Sequence, residues 1–174
     1  WYLELSKTVF NSNNEEDIKE LRQTSSYIFR EILIILHPFI PFVTEEIWLN
    51  NKLDKNGGEF LMHANWLKGD YHEKKSYDEI NNIINFITSI RSFKNELNIS
   101  PGSFIEISTA NTNKEYKNFL SSNENIMKKN GRIKNFHEKD LDKPSASIVI
   151  NGELFKLYFD QDVDLNMIKS TLEK

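Results

Sequence analysis

The sequence contains no cysteine and no long apolar run. Without a thiol, disulfides, thiolate zinc sites and a cysteine nucleophile are all excluded. No stretch approaches the roughly 18 consecutive apolar residues of a membrane-spanning helix, and no basic-then-apolar leader opens the chain. We therefore expect a cytoplasmic protein with no membrane partner.

The sequence also lacks an initiating methionine and a basic charge balance. It begins at Trp1 on an amphipathic run already in progress, and we expect an excerpt of a longer protein. Its 174 residues are enough for one ordinary domain or two small ones. The net charge of -4 argues against a surface built throughout for nucleic acid, so any such surface must be a local basic patch.

Apolar residues at helical spacing dominate the first part of the chain. Ile18, Leu21, Ile28, Ile32 and Ile35 follow a 3-4 repeat, which predicts a helix from residue 15 to about residue 37. A second helix is predicted to begin at Pro41, because Pro38 ends the first helix and Pro41 suits the first turn of a new one. A Ser-x-x-Glu capping box then predicts a long helix over residues 76–98.

The pattern changes after residue 98. Alternating apolar residues predict strands near residues 104–107 and 133–136, and a capping box at Thr112 predicts a helix between them that stops at Gly131. Asn151-Gly152 between two apolar runs is a strong hairpin signal, because a type I′ turn needs positive φ twice. The predicted fold is mainly α: a helical bundle over residues 1–98, a small α+β module with a β-hairpin over 99–161 packed on helix 76–98, and the start of a C-terminal helix over 162–174.

A catalytic site needs convergent groups, and the sequence offers none. The four histidines are scattered without a metal-ligand spacing, and no nucleophile elbow, P-loop or dinucleotide fingerprint is present. Glu45 and Glu46 lie near a helix start, where stabilisation by the helix dipole explains them better than acid–base catalysis. We expect no catalytic residue, no metal and no cofactor in this chain.

Basic side chains give modest support for nucleic-acid binding. Residues 111–143 hold eight Lys and Arg against five Asp and Glu. On composition alone a solvated face remains the simpler interpretation, although such clusters can contact phosphates. The candidate contact residues are Lys7, Arg22 and Arg30 on the polar sides of the early helices, and Arg91 and Lys94 on the helix from Ser76.

One segment is far more specific. LHPFIPFVTEEIW, at residues 36–48, closely resembles a signature of class I aminoacyl-tRNA synthetases of the valine, isoleucine and leucine group. Residues 1–7, 90–101 and the hairpin with its following Asp-Leu are similar to the valyl-tRNA synthetase family. The signature positions carried over are His37, Pro38, Phe39, Pro41, Phe42, Glu45, Glu46 and Trp48.

The resemblance implies a helical anticodon-binding region whose partners are tRNA and the catalytic domain of a parent synthetase. That family attaches valine to its tRNA with ATP, and its HIGH and KMSKS signatures for ATP are nowhere in this sequence. The resemblance therefore implies that ATP and the chemistry belong to a catalytic domain outside the chain. Lys94 stands where the family often has Arg. An isoleucyl- or leucyl-type synthetase and a helical protein-binding scaffold stay open as alternatives.

Physical chemistry gives the signature a structural role. The two prolines restrict the backbone on either side of a corner between two helices. We expect Phe39, Ile40, Phe42, Ile47 and Trp48 to pack that corner against neighbouring helices rather than to touch RNA.

Overall fold

In the computed structural model, residues 1–11, 14–53, 60–67, 69 and 73–159 are described. These residues form six α-helices, a short 3-10 turn at Leu61–His63 and a four-stranded sheet. The helices are α1 (Tyr2–Phe10), α2 (Glu15–Leu36), α3 (Pro41–Asn51), α4 (Lys74–Glu96), α5 (Lys114–Ser122) and α6 (Glu124–Gly131). The strands are β1 (Ile105–Ser108), β2 (Ile133–His137), β3 (Ala146–Ile150) and β4 (Glu153–Phe159). The predicted fold class, mainly α with a small sheet module, is confirmed.

The chain divides into two compact units. A helical unit spans Val9–His72, and a sheet unit combines Trp1–Thr8 with everything from Glu73 onward. The predicted domain boundary at residue 98 stays a prediction. α4 buries its apolar face against the sheet, and Leu5 of α1 belongs to the same core. The predicted C-terminal helix over 162–174 lies outside the described residues.

In the helical unit, α2 and α3 pack around a small core. Asn14 caps α2 through its side chain, which accepts a hydrogen bond from the amide of Glu16 at 3.1 Å. Pro41 occupies the first turn of α3, where its missing N–H costs nothing. Both predicted starts are confirmed.

The sheet has the order β2-β1-β4-β3. β1 and β2 are parallel and are joined by the α5–α6 crossover, whereas β1 and β3 each pair antiparallel with β4. The β3–β4 hairpin turns at Asn151 (φ 51°) and Gly152 (φ 83°), which confirms the predicted turn with two positive φ angles.

Helix capping differs from the sequence prediction in two places. α4 is capped by Glu73, whose carboxylate accepts from the amide of Ser76 at 2.6 Å, so Ser76 is not the cap. α5 is capped by Asn113 and not by Thr112, because the Asn113 side chain accepts from the amide of Tyr116. Each cap is a side-chain oxygen, and the correct choice depends on backbone geometry that a four-residue pattern does not contain.

The core of the sheet unit is formed by one face of α4 against the sheet and α6. Phe86 and Phe155 are fully buried, and their rings meet edge to face at 5.5 Å between centroids. The apolar residues of this core are Leu5, Ile83, Phe86, Ile87, Ile90, Ile105, Ile107, Leu120, Met127, Ile133, Ile150, Phe155 and Leu157. This packing fixes the C-terminal turn of α4 beside the end of α6, where the basic residues described next meet.

Candidate nucleic-acid interface

A cavity of about 350 Å³ lies in the sheet unit between the last turns of α4 and the end of α6. Its lining is strongly basic, and none of its lining residues is acidic. The residues are Arg91, Lys94, Asn95, Pro101, Asn130, Gly131 and Arg132. Two of them, Arg91 and Lys94, are predicted contact residues that the structure brings together, and Arg132 joins them from the residue that follows α6.

Lys94 is a buried cation at the base of this cluster. Lys94 is only 2% exposed. Its ammonium donates to the carbonyl of Ser103 at 2.9 Å and to that of Gly131 at 3.0 Å. Burial, with repulsion from Arg132 and Arg91, lowers the pKa of Lys94 from 10.5 to about 8. The ammonium of Lys94 thus points inward onto main-chain oxygens, and whether this residue contacts RNA stays a prediction.

Arg91 ties the end of α6 to α1. Its guanidinium donates to the carbonyl of Asn130 through Nε at 3.2 Å and Nη2 at 3.0 Å. It also forms an ion pair with Glu4 and lies over the ring of Trp1, 5.4 Å from the centroid. The hydrogen bond from Arg91 lowers the pKa of Glu4. Arg91 thus lines the cavity, while its contacts with Asn130, Glu4 and Trp1 fix the position of its guanidinium.

Arg132 is exposed and adopts a left-handed backbone, with φ of 54°. The helix was predicted to stop at Gly131, but Gly131 is the last helical residue and Arg132 takes the left-handed position beyond it. Its guanidinium lies over the ring of Phe104 at 5.8 Å. Within the described part of the chain, Arg132 forms no salt bridge with a carboxylate, so its charge is available to an anion.

Arg22 and Arg30 belong to the helical unit, and Lys7 lies on the part of α1 in the sheet unit. Arg22 is exposed, with its guanidinium over the ring of Phe10 at 5.9 Å. Arg30 is half-buried, forms an ion pair with Glu31 at 2.7 Å and lies over Trp48 at 5.4 Å. Neither Arg22 nor Arg30 lines the basic cavity, and whether any of the three contacts RNA stays a prediction.

The corner between α2 and α3 is held by a buried hydroxyl. Thr44, 1% exposed, donates to the carbonyl of Ile40 at 2.9 Å, and its oxygen lies 2.8 Å from Nδ1 of His37. The direction of the second bond follows the tautomer of His37, since Nδ1 donates when it is protonated and otherwise accepts from the hydroxyl. Both prolines of the signature lie between His37 and Thr44 in the sequence, so this bond spans the proline turn and supports the predicted structural corner.

The aromatic residues of the signature do not share one role. Trp48 is 3% exposed and packs with Leu33, Ile34 and Leu61, as predicted. Phe39 and Phe42 are 79% and 88% exposed, so the prediction that they pack the corner is wrong for these described residues. The turn points both rings outward, a direction that the apolar pattern alone does not reveal.

The adjacent carboxylates of the signature also have local partners. Glu45 accepts from the amide of Leu61 at 2.9 Å, and Glu46 accepts from the side-chain amide of Asn50 at 2.8 Å. Neither lies in the first turn of α3, so the predicted stabilisation by the helix dipole is wrong. Glu45 instead joins α3 to the 3-10 turn.

These arrangements suit binding by charge and stacking. Across the ranges that the structure describes, no group of three or more His, Cys, Asp or Glu residues is placed to hold a metal ion. No helix in those ranges is long and apolar enough to cross a membrane. Proteins bind single-stranded and looped RNA by stacking its bases on guanidinium groups and aromatic rings and by attracting its phosphates with cations.

Residues 1–110, more than half of the chain, match the family model for the anticodon-binding domain of tRNA ligases. The chain belongs to this anticodon-binding family. It is 56% identical over 172 residues to the valine–tRNA ligase of Pelagibacter ubique (strain HTCC1062) and 33% identical over 178 residues to that of Rhizobium meliloti (strain 1021). These matches cover 99% and 100% of this chain but only 20% and 19% of the two relatives. The predicted resemblance to the valyl-tRNA synthetase family is confirmed.

Proposed function

We propose that this chain is the part of a valine–tRNA ligase that holds the anticodon stem-loop of tRNA. The observation that carries the proposal is the match of residues 1–110 to the anticodon-binding domain of tRNA ligases. The names of the relatives favour the valine enzyme over the isoleucyl- or leucyl-type alternative.

Exposed cations and exposed aromatic rings supply the two kinds of contact that the proposal needs. Arg22 and Arg91 are exposed, and each guanidinium lies over an aromatic ring. Cations attract phosphates without regard to sequence, whereas aromatic and guanidinium planes stack on unpaired bases. An anticodon loop offers both phosphates and unpaired bases, so cations serve affinity and stacking groups serve placement.

The proposal extends to the whole ligase as an ATP-dependent enzyme of the cytoplasm. It would react valine with ATP to form valyl-adenylate and pyrophosphate, and would then transfer the valyl group to the terminal ribose of its tRNA with release of AMP. The chain spans about a fifth of the length of the relatives it matches. In this proposal ATP is bound elsewhere in the ligase, and the chain performs no chemistry but positions the tRNA.

A filter-binding titration of the chain with valine tRNA, against a neutral polymer, tests the proposal. We expect tighter binding to the tRNA at low salt and an affinity that falls steeply as salt rises. Isoleucine tRNA, as a third arm, measures how far the chain itself distinguishes anticodons. Equal affinity for tRNA and the neutral polymer, or no dependence on salt, would overturn the proposal.

A second candidate function is docking onto the remainder of the same ligase. The observation that favours it is the exposed apolar face of Phe39, Ile40, Phe42 and Val43, which are between 45% and 88% exposed. Because the relatives are about five times longer than the chain, a ligase of their length has other domains to cover this face. The occupant proposed here is the catalytic domain.

This docking is tested in the full-length ligase with Phe42→Ser and, as a matched control on an exposed side chain of the same unit, Met62→Ser, since Met62 is 68% exposed. We expect Phe42→Ser alone to increase protease cleavage between this region and the catalytic domain. Sedimentation of the isolated chain gives a second readout, because an uncovered apolar face promotes self-association. Equal cleavage of both variants, together with a clean monomer at high concentration, would contradict the docking.

A further inference from the structure

The cavity at the end of α6 combines a basic lining with space. Arg91, Lys94 and Arg132 contribute cations, and Asn95 and Asn130 contribute amides. Its volume of about 350 Å³ is larger than one phosphate group and leaves room for an attached sugar. A cavity with three cations and no acidic lining residue attracts anions.

We propose that this cavity binds a phosphate group through Arg132 and Arg91, with the buried Lys94 adding a third positive charge. The inference rests on the proposed function for its source of phosphate, which is the backbone of tRNA. A free phosphate anion offers the same chemistry, and the experiments below separate the two sources.

Capping of α6 explains part of the cluster. The last carbonyls of a helix lack partners within the helix, and cations stabilise them. Arg91 donates to the carbonyl of Asn130 and Lys94 donates to that of Gly131. These two cations therefore have a structural role as well as a place in the lining.

Capping explains the backbone of Arg132, whose N–H donates to the carbonyl of Lys128 and closes α6, but it does not explain the side chain. Its guanidinium lies on the Phe104 ring and not on a helix carbonyl. Its φ of 54° is a conformation that glycine or asparagine adopts at lower cost than arginine does. An exposed guanidinium at the edge of a basic cavity, with no carboxylate partner among the described residues, fits a binding role better than a helix-capping one.

The charges around Lys94 allow phosphate binding in the cavity to be detected through the pKa of Lys94. Arg91 lies on the same helix, Arg132 follows α6, and Glu4 on α1 is already engaged with Arg91. Burial, together with repulsion from the two arginines, holds the pKa of Lys94 at about 8. A phosphate bound among them would offset that repulsion and raise the pKa of Lys94 toward 10.5.

The first experiment titrates Lys94 in the full chain by NMR with labelled lysine, with and without inorganic phosphate. We expect phosphate to raise the pKa of Lys94 in the wild type and to leave it unchanged in Arg132→Gln. Chloride at the same ionic strength is the control for screening. No difference between phosphate and chloride in the wild type would overturn the phosphate site.

The second experiment measures tRNA binding of the wild type, Arg132→Gln and the matched control Lys75→Gln. Lys75 is exposed in the first turn of α4, about 25 Å along the helix from Arg91. We expect Arg132→Gln to weaken binding about five- to tenfold and to reduce the slope of log K against log salt by about 1, with Lys75→Gln close to wild type. Arg132→Gly should lose the same affinity while its melting temperature stays equal or rises, which a purely structural arginine would not allow.

The two experiments separate the inference from the proposed function. Salt-dependent tRNA binding that Arg132→Gln and Lys75→Gln weaken equally would overturn the inference and leave the proposed function standing. A phosphate-dependent pKa of Lys94 without tRNA binding would support the site, assign it to a free anion and overturn the RNA source. Absence of both effects would overturn the two together.

Discussion

The two compact units differ in what they bury. Among the described residues, the sheet unit has a core of 13 buried apolar residues, whereas the helical unit has four. The helical unit also carries the most exposed aromatic side chain, Phe42, within the segment that identifies the family. The sheet unit is thus organised around its own core, whereas the helical unit combines a small core with several exposed apolar side chains.

The difference teaches that a specific sequence signature need not describe a core. Phe39 and Phe42 are exposed, whereas the buried members of the same stretch are Thr44 and Trp48. In the sheet unit, by contrast, the residues at the centre of the core belong to plain apolar periodicity. Substitutions in the two units should therefore have different consequences, and the effects below run from the largest to the smallest.

The largest effect is expected for Phe86→Ala in the sheet unit. Phe86 has no exposed surface and contacts the ring of Phe155. Its removal should lower the free energy of unfolding by about 3–5 kcal/mol. Phe42→Ala is the contrasting control, with an expected change below about 0.5 kcal/mol. Urea denaturation of both variants measures the difference, and similar losses would break the comparison.

Lys94 should make the stability of the sheet unit depend on pH. Its pKa is about 8 in the folded chain and near 10.5 in the unfolded chain, so between these values the unfolded state binds more protons. The free energy of unfolding should therefore rise from about pH 8 to about pH 10.5, by up to about 3 kcal/mol. Below pH 8 this contribution is absent.

The matched measurement is the difference in unfolding free energy between the wild type and Lys94→Met at each pH, which removes the titration of other groups. At pH 7 we expect Lys94→Met to be less stable by about 1–3 kcal/mol, because main-chain carbonyls lose their donor. Above pH 8 the wild type should gain stability relative to the variant. A difference that is flat from pH 7 to 10.5 would contradict the burial of a charged Lys94.

Thr44→Val tests the corner of the helical unit. It removes the hydroxyl that bonds to His37 and to the carbonyl of Ile40 while conserving the volume. We expect a loss of about 1–2 kcal/mol, and Thr44→Ser should keep most of the stability. Thermal unfolding followed by circular dichroism compares the two. Equal losses would mean that the methyl group and not the hydroxyl holds the corner.

The smallest effect is expected at the hairpin turn. Gly152→Ala places a Cβ where no atom lies within 4 Å, so the cost comes only from φ of +83° and should be about 1 kcal/mol. Gly102→Ala is the matched control, since its Cβ would meet only the side chain of Ser100 at 3.8 Å. Chemical denaturation should show a loss for Gly152→Ala alone, and equal stability of the two variants would contradict the assigned turn.

Local sequence patterns predicted the elements of both units well. The hairpin was predictable because Asn151-Gly152 determines a turn within two residues, and α2 because its apolar repeat continues over several turns. The family, too, was predictable from one contiguous segment. These features share a physical basis: each is set by residues close together in the sequence.

Features that depend on distant residues were not predictable. The parallel pairing of β1 with β2 joins segments separated by two helices. The burial of Lys94 depends in part on the carbonyl of Gly131, 37 residues further along the chain, and its basic residue type alone indicated a surface position. Arg132 joined the site only because α6 ends beside α4, which no motif signals.

The central claim is that the chain contacts the anticodon arm of tRNA, and ribonuclease footprinting of valine tRNA tests it most directly. The proposed function predicts protection by the chain that is confined to the anticodon arm and weakens as salt rises. Protection of the acceptor end, or no protection at concentrations where the chain binds the tRNA on filters, would contradict it.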